Sequence, residues 1–174
     1  MPQSSTKKRL RKRLQRYFQV EGMNALMFFC VLIFLNFEYE AQHLIFLSFG
    51  MLMMCFILAQ GTYYWWIKWS ILEENHVFKA RALKWFRTFK KYNVYGILLM
   101  PLILTVQWLI SGRSFVAGNF LGWALAANIF AVLEHINYYH KQLMYDNKYD
   151  LKYLAQNRKL KRASLYKDLQ ENKL

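Results

Sequence analysis

Cysteine, catalytic signatures and, over long stretches, charge are what this chain lacks. Its two cysteines, Cys30 and Cys55, lie in apolar surroundings with no CxxC or Cys/His spacing. That excludes a disulfide framework and leaves them as small packing residues. There is no Gly-rich phosphate loop, no GxSxG elbow and no HExxH helix, so none of the chemistry tied to those motifs is announced. Four windows contain no Asp, Glu, Lys or Arg: Gly22–Phe37, Ala41–Ile67, Tyr92–Gly112 and Ser114–Leu133, of 16, 27, 21 and 20 residues. Without a carboxylate or Lys inside those windows, ion-coupled transport has no obvious carrier.

What is present is segregated. The 174 residues are 56% apolar yet carry a net charge of +14, whereas a soluble domain mixes its charges among its apolar residues. A helix needs about 20 apolar residues at ~1.5 Å rise to cross a hydrocarbon core of ~30 Å. Three windows reach that length, and the first does so if its helix starts near Tyr17 and Glu21 snorkels toward the headgroups. The expected fold is an all-α integral membrane protein. Its four transmembrane helices form two antiparallel hairpins, joined by short turns at Glu38–His43 and about Ser111–Ser114.

Charge missing from one side sets the expected orientation. Seven Lys and Arg precede the first window, seven lie from Lys68 to Lys91 and nine follow Leu133, so that of 24 only Arg113 remains for the other side. By the positive-inside rule both termini and the middle loop are cytoplasmic, or face the stromal or matrix equivalent. The chain then divides into a basic N-terminal segment (1–16), a transmembrane domain (17–144) with an interfacial loop helix (76–91), and a basic C-terminal helix region (145–174). Leu10, Leu14 and Phe18 recur at helical spacing among the first bases, which reads as a helix lying on an anionic membrane surface. No small-x-small cleavage site follows it, so it is expected to be a retained anchor. In the middle loop Phe78, Ala82, Trp85, Phe86 and Phe89 share one arc, Arg81, Lys84, Arg87 and Lys91 face away, and Asn75 is placed to cap the start. The C-terminal helix is expected from Leu151, behind Asp150 as cap, to about Leu169. Bases beside spans report electrostatics only, so nucleic acid is not an expected partner.

Polar side chains inside the windows are few. Gln60, about two turns inside the second window, must find a partner. Tyr63, Tyr64, Trp65 and Trp66 form an interfacial aromatic belt before Lys68. Pro101 marks a kink, and Gly118 and Gly122, extended by Ala126, form a small-residue stripe for close helix approach within the monomer. The densest block is Glu134–Lys141. On one continuous helix Asn128, His135 and Tyr139 share a face, while Glu134, Tyr138 and Lys141 share a second. Glu134 and His135 are the candidate catalytic pair, as acid and base on a headgroup. The plainer alternative makes Glu134 a membrane-exit residue and both histidines interfacial. His135 and His140 diverge by about 140° on a helix, and His76, Glu73 or Glu74 could contribute only if the fold brought the loop to them, so neither metal nor cofactor is expected.

Gln60, Tyr63, Tyr64, the Glu73–His76 turn and the Glu134–His140 block fall at one membrane depth, rimmed by Lys68, Lys79 and Lys141. A pocket there, with Asn137, Tyr138 and His140 as further contacts, suits an anionic amphiphile: a phospholipid, a prenyl phosphate or a quinone-like headgroup. The expected function is a multi-pass membrane protein that binds anionic lipid and docks other membrane-protein subunits through its basic cytoplasmic face, as an accessory or assembly subunit. The second reading is a small membrane enzyme acting on a lipid or prenyl headgroup through Glu134 and His135, with Asn137, Tyr138 and Gln60 positioning the substrate.

Overall fold

A computed structural model describes residues 2–73, 79–112, 120–144 and 148–174, with the side chains of 2–5 and 148–150 excepted. The described chain is helical: α1 (Pro2–Glu38), α2 (Ala41–Leu72), α3 (Lys79–Ile110), α4 (Leu121–Tyr139), α5 (Lys148–Asn157) and α6 (Ser164–Glu171). Three of these, α1, α2 and α3, are long and apolar enough to cross a membrane. At ~1.5 Å per residue they measure about 48–55 Å, and α4 about 28 Å. The first three therefore exceed a ~30 Å hydrocarbon core by several turns.

The excess length carries the basic residues. Residues 2–16 are the opening turns of α1, not a separate surface helix, and Lys79–Lys91 open α3 instead of forming a loop helix of their own. No Gly or Pro interrupts 3–21 or 79–95, and Leu, Lys, Arg and Gln favour helix, so nothing ends either helix at the membrane boundary. Helix α3 also runs on through Pro101. Residues 74–78, with Glu74, Asn75, His76 and Phe78, and residues 113–119, with Arg113 and Gly118, lie outside the described residues.

Helix directions follow from the partners. Between α1 and α2 the pairs run from Asn36–Ser48 through Ala25–Cys55 and Glu21–Trp65 to Arg11–Glu73. Between α2 and α3 they run from Phe46–Gln107 through Gln60–Asn93 to Tyr64–Phe86. One number rises as the other falls, so consecutive helices are antiparallel. Helix α4 runs with α2, since Asn128 meets Phe46 and Tyr139 meets Gln60. The start of α1, the end of α2, the start of α3 and the end of α4 thus share one end of the bundle. Helix α2 is its centre: 61% of its apolar window is buried, against 6% in α1 and 22% in α3. The outer helices expose Phe29, Phe34 and Phe37 of α1 and Leu98, Leu102 and Leu109 of α3, an apolar surface too extensive for water to favour.

Two further expectations change. Among the described residues α4 begins at Leu121, behind Phe120, which sits in the left-handed region (φ 48°) with its ring edge-on to Tyr39 at 4.7 Å. A Cβ on Gly122 would meet open space, so no backbone approaches closely there. Close approach occurs on α2 instead, where a Cβ on Gly50 would overlap Asn128 and one on Gly61 would overlap Tyr138 and Glu21. The tail forms two helices, not one. Arg158 adopts a left-handed φ of 47° just after α5. The chain then pairs back on itself through a bridge of Lys141 with Arg162, and α6 buries Leu165 against the bundle.

Candidate functional site

Gln60 finds its partners within the fold. Its Nε2 donates to Asn93 Oδ1 at 2.9 Å, Asn93 Nδ2 donates to Gln60 Oε1 at 2.9 Å, and the Tyr139 hydroxyl donates to the same Oε1 at 2.7 Å. All three residues are buried. They are a lock joining α2, α3 and α4, and Gln60 also lines, with Tyr63, a cavity between α2 and α3. At the opposite end Gln107 plays the same part, accepting from the Phe46 amide at 2.6 Å. There Asn128 Nδ2 donates to the Phe46 carbonyl at 2.9 Å.

The Glu134–Lys141 block separates onto different flanks of α4. His135 is buried, stacks on Tyr139 at 5.1 Å, and meets the edge of His140 at 5.4 Å. Its Nδ1 has no hydrogen-bond partner among the described residues. Glu134 instead accepts from Asn137 Nδ2 at 3.3 Å and lies within electrostatic reach of Glu21 and Tyr138. His140 does not diverge from His135 as a continuous helix requires. It is the C-cap of α4, at φ −138° and ψ −74°, and its ring returns to His135. Burial, followed by the nearby Lys90 charge, holds the His140 imidazole below its usual pKa. Lys141, beyond the helix, joins the bridge to Arg162 and forms no stripe with Glu134 and Tyr138.

The tail claims two expected binding residues. Asp168 of α6 accepts from the Tyr64 hydroxyl at 2.6 Å and pairs with Lys68 Nζ at 2.7 Å. Arg87 of α3 adds bonds to the Leu169 carbonyl and to Asn172. Tyr63 faces outward, stacked on Trp66 at 5.9 Å, and Glu73 is paired with Arg11.

A cavity of about 350 Å³ opens at the basic end, between α1, α2, α4 and the strap that leads into α6. Helix α1 contributes Arg13, Tyr17 and Glu21, one face at a spacing of four. Tyr64 and Trp65 come from α2 and Asn137 and Tyr138 from α4, with Gln142, Lys161 and Ser164 closing over them. Glu21 does not snorkel outward. It turns into the bundle, where the Tyr138 hydroxyl and Trp65 Nε1 (3.1 Å) donate to its carboxylate, in the space that Gly61 leaves open. Among the described residues no Lys or Arg pairs with Glu21. Tyr17 packs against Trp65 at 5.1 Å, and the Arg13 guanidinium lies 5.8 Å from the Tyr17 ring. Asn137 Oδ1 accepts the Leu143 amide at 2.8 Å and the Met144 amide at 3.3 Å, folding the strap over the opening.

Of the residues expected to bind, this cavity takes Tyr64, Asn137 and Tyr138 and leaves Gln60, Tyr63, Lys68, His140 and Lys141 elsewhere. The catalytic candidates Glu134 and His135 are not in its lining. Arg13, Tyr17 and Glu21 were missed, although their spacing on one helix face was legible. Lys161 and Ser164 reach the cavity only through the bridge, which has no local signal. No group of three or more His, Cys, Asp and Glu that could hold a metal ion occurs among the described residues. Comparison with protein-family models, curated proteins and solved structures finds no match. The fold alone defines the class: a helical protein with three helices built to cross a membrane, hence an integral membrane protein.

Proposed function

We propose that the chain crosses the membrane four times, with α4 as the short fourth span and both termini on the cytoplasmic side or its stromal or matrix equivalent. There it binds anionic lipid and docks a partner membrane subunit. One observation carries the reading: the alternating helix directions gather the bases of α1, of Lys68–Lys91 and of the tail at a single end. Each Lys or Arg near an anionic leaflet contributes about 1 kcal/mol of attraction. Of that surplus, Arg11 and Lys68 are paired internally, and Lys8, Arg9 and Lys12 of α1 and Lys84 and Lys91 of α3 are exposed. Helix α5 exposes Leu151 and Tyr153 on either side of Lys152, an apolar hold for a partner subunit. An acid–base role for Glu134 and His135 is not carried forward, because the two face different flanks of α4.

Native mass spectrometry after mild extraction tests both parts. Phosphatidylglycerol should remain bound to the wild-type chain, and joint replacement of Lys7, Lys8, Arg9 and Lys12 by Gln should reduce retention several-fold. A stoichiometric partner should accompany the protein from its native membrane. A lone monomer carrying lipid in bulk proportions defeats the proposal.

A further inference from the structure

Two apolar grooves meet on the flank of α2. The first, of about 340 Å³, lies between α2 and α3 and is lined by Phe56, Ala59, Gln60, Tyr63, Trp85 and Phe89. The second, of about 460 Å³, lies between α1 and α2, where Gly22, Ala25 and Ala59 supply small side chains beside Phe18. Ala59 and Tyr63 belong to both. All three helices are long and apolar enough to cross a membrane, so whatever fills these grooves must dissolve in hydrocarbon. The polar groups at the wall decide which apolar molecule fits. No acidic or basic side chain lines the first groove among the described residues, and a charged ligand would enter it unpaired. Gln60 is only 3% exposed. Its Oε1 accepts twice, from Asn93 and Tyr139, whereas its Nε2 donates once, to Asn93. An amide carries two N–H donors, and a donor left without an acceptor in a dry site is costly. The Trp85 indole brings a donor and no acceptor. A wall of donors is answered by a carbonyl.

We propose that the groove between α2 and α3 binds a quinone. One carbonyl accepts from Gln60 Nε2, the ring lies against Phe89 and Trp85, and the apolar tail passes Tyr63 into the groove beside Gly22. The centroid of Phe89 lies 5.7 Å from that of Phe56 and 5.5 Å from that of Trp85, and clustered rings of this kind favour a further flat ring over a flexible chain. At about 340 Å³ the first groove is at the small end of the range for small-molecule sites, and it has their usual make-up of apolar walls with few polar groups. A phospholipid fits less well. Gln60 stands eight residues before Lys68, about 12 Å along α2, so the ester carbonyls of a lipid held at the basic end stay above it and only acyl chain reaches the amide. The site needs α2 and α3 to lie in a membrane, but not the anionic-lipid binding proposed for the exposed bases.

The full chain in dodecyl maltoside is titrated with decylbenzoquinone, and binding is read by quenching of tryptophan fluorescence, with Trp85 and Trp66 lining the two grooves as reporters. Quenching should saturate at one quinone per chain. Decylbenzene has the same ring and tail without the carbonyls, and in competition it should bind several-fold more weakly, as loss of one hydrogen bond predicts. That comparison uses the wild-type chain and stands whether or not a variant folds. Ala59→Phe, at an exposed position shared by both grooves, should weaken the quinone about tenfold by filling the space. Replacing the exposed bases of α1 by Gln should leave quinone affinity unchanged while phosphatidylglycerol retention falls, so the two readings fail separately. Quenching that rises without saturating, competition by decylbenzene or phosphatidylcholine equal to that of the quinone, or wild-type affinity in a folded Ala59→Phe chain overturns the proposal.

Discussion

Gln60 and Asn93 each satisfy the other's amide, so removing one strands its partner in a buried site. Gln60→Leu should lower thermal stability in detergent by about 1–2 kcal/mol. The double replacement with Asn93→Leu should cost less than the two singles added, because no stranded amide remains; strict additivity would show that the pair is not coupled. Gly61 makes a sharper case. Gly61→Ala places a methyl against the Tyr138 hydroxyl and the Glu21 carboxylate and should cost roughly 1–3 kcal/mol. Gly122→Ala, facing open space, should be neutral or slightly stabilising. His140 carries the pH dependence. Its folded pKa lies below the unfolded value, so the unfolded chain takes the proton first. Stability from this group is present above a pH of about 6.5 and is lost as pH falls through the folded midpoint. NMR titration should place that midpoint below that of free histidine. Lys90→Gln should raise it only partly, since burial is the larger cause.

Helix α6 has 8 residues, too few to persist alone. Its contacts with the bundle are a buried Leu165, the Asp168 junction with Tyr64 and Lys68, and the Arg87 bonds near its end. Asp168→Asn keeps the shape and removes the charge, weakening a charge-assisted contact by roughly 1–3 kcal/mol. Hydrogen exchange across Ser164–Glu171 should accelerate in that variant, and less in Tyr64→Phe, which leaves Lys68 in place. Unchanged exchange in Asp168→Asn would mean that the Leu165 packing and the Arg87 bonds hold α6 without this ion pair. The same logic explains α4. A left-handed Phe120, braced by Tyr39, sets the residue from which α4 runs as a helix.

Across the whole molecule the proposed topology is open to direct labelling. With Cys30 and Cys55 replaced by Ala, a Cys at Ser114 should react with an impermeant thiol reagent from outside, and one at Lys173 only after the membrane is opened. Reaction of the Ser114 position from the cytoplasmic side would overturn the four-span arrangement. Helices α1 and α3 each carry their bases in the same uninterrupted helix as their apolar window.

Helix and apolar length were legible in the sequence, because each depends on residues adjacent along the chain. The demand of Gln60 for a partner was legible too, since burying an amide has a cost that burial alone dictates. Asn93 and Tyr139 as the answer were not, nor was Asp168 as the holder of Tyr64 and Lys68, because each depends on how separate helices are rotated and shifted against one another. Glu21 shows the division most clearly. Its position near a membrane boundary predicts outward snorkelling, a local and reversible choice between two rotamer directions. Only the packed bundle, with Gly61 making room and Tyr138 and Trp65 offering donors from two other helices, turns it inward. Sequence decides what a side chain needs; tertiary structure decides which distant residue is near enough to supply it.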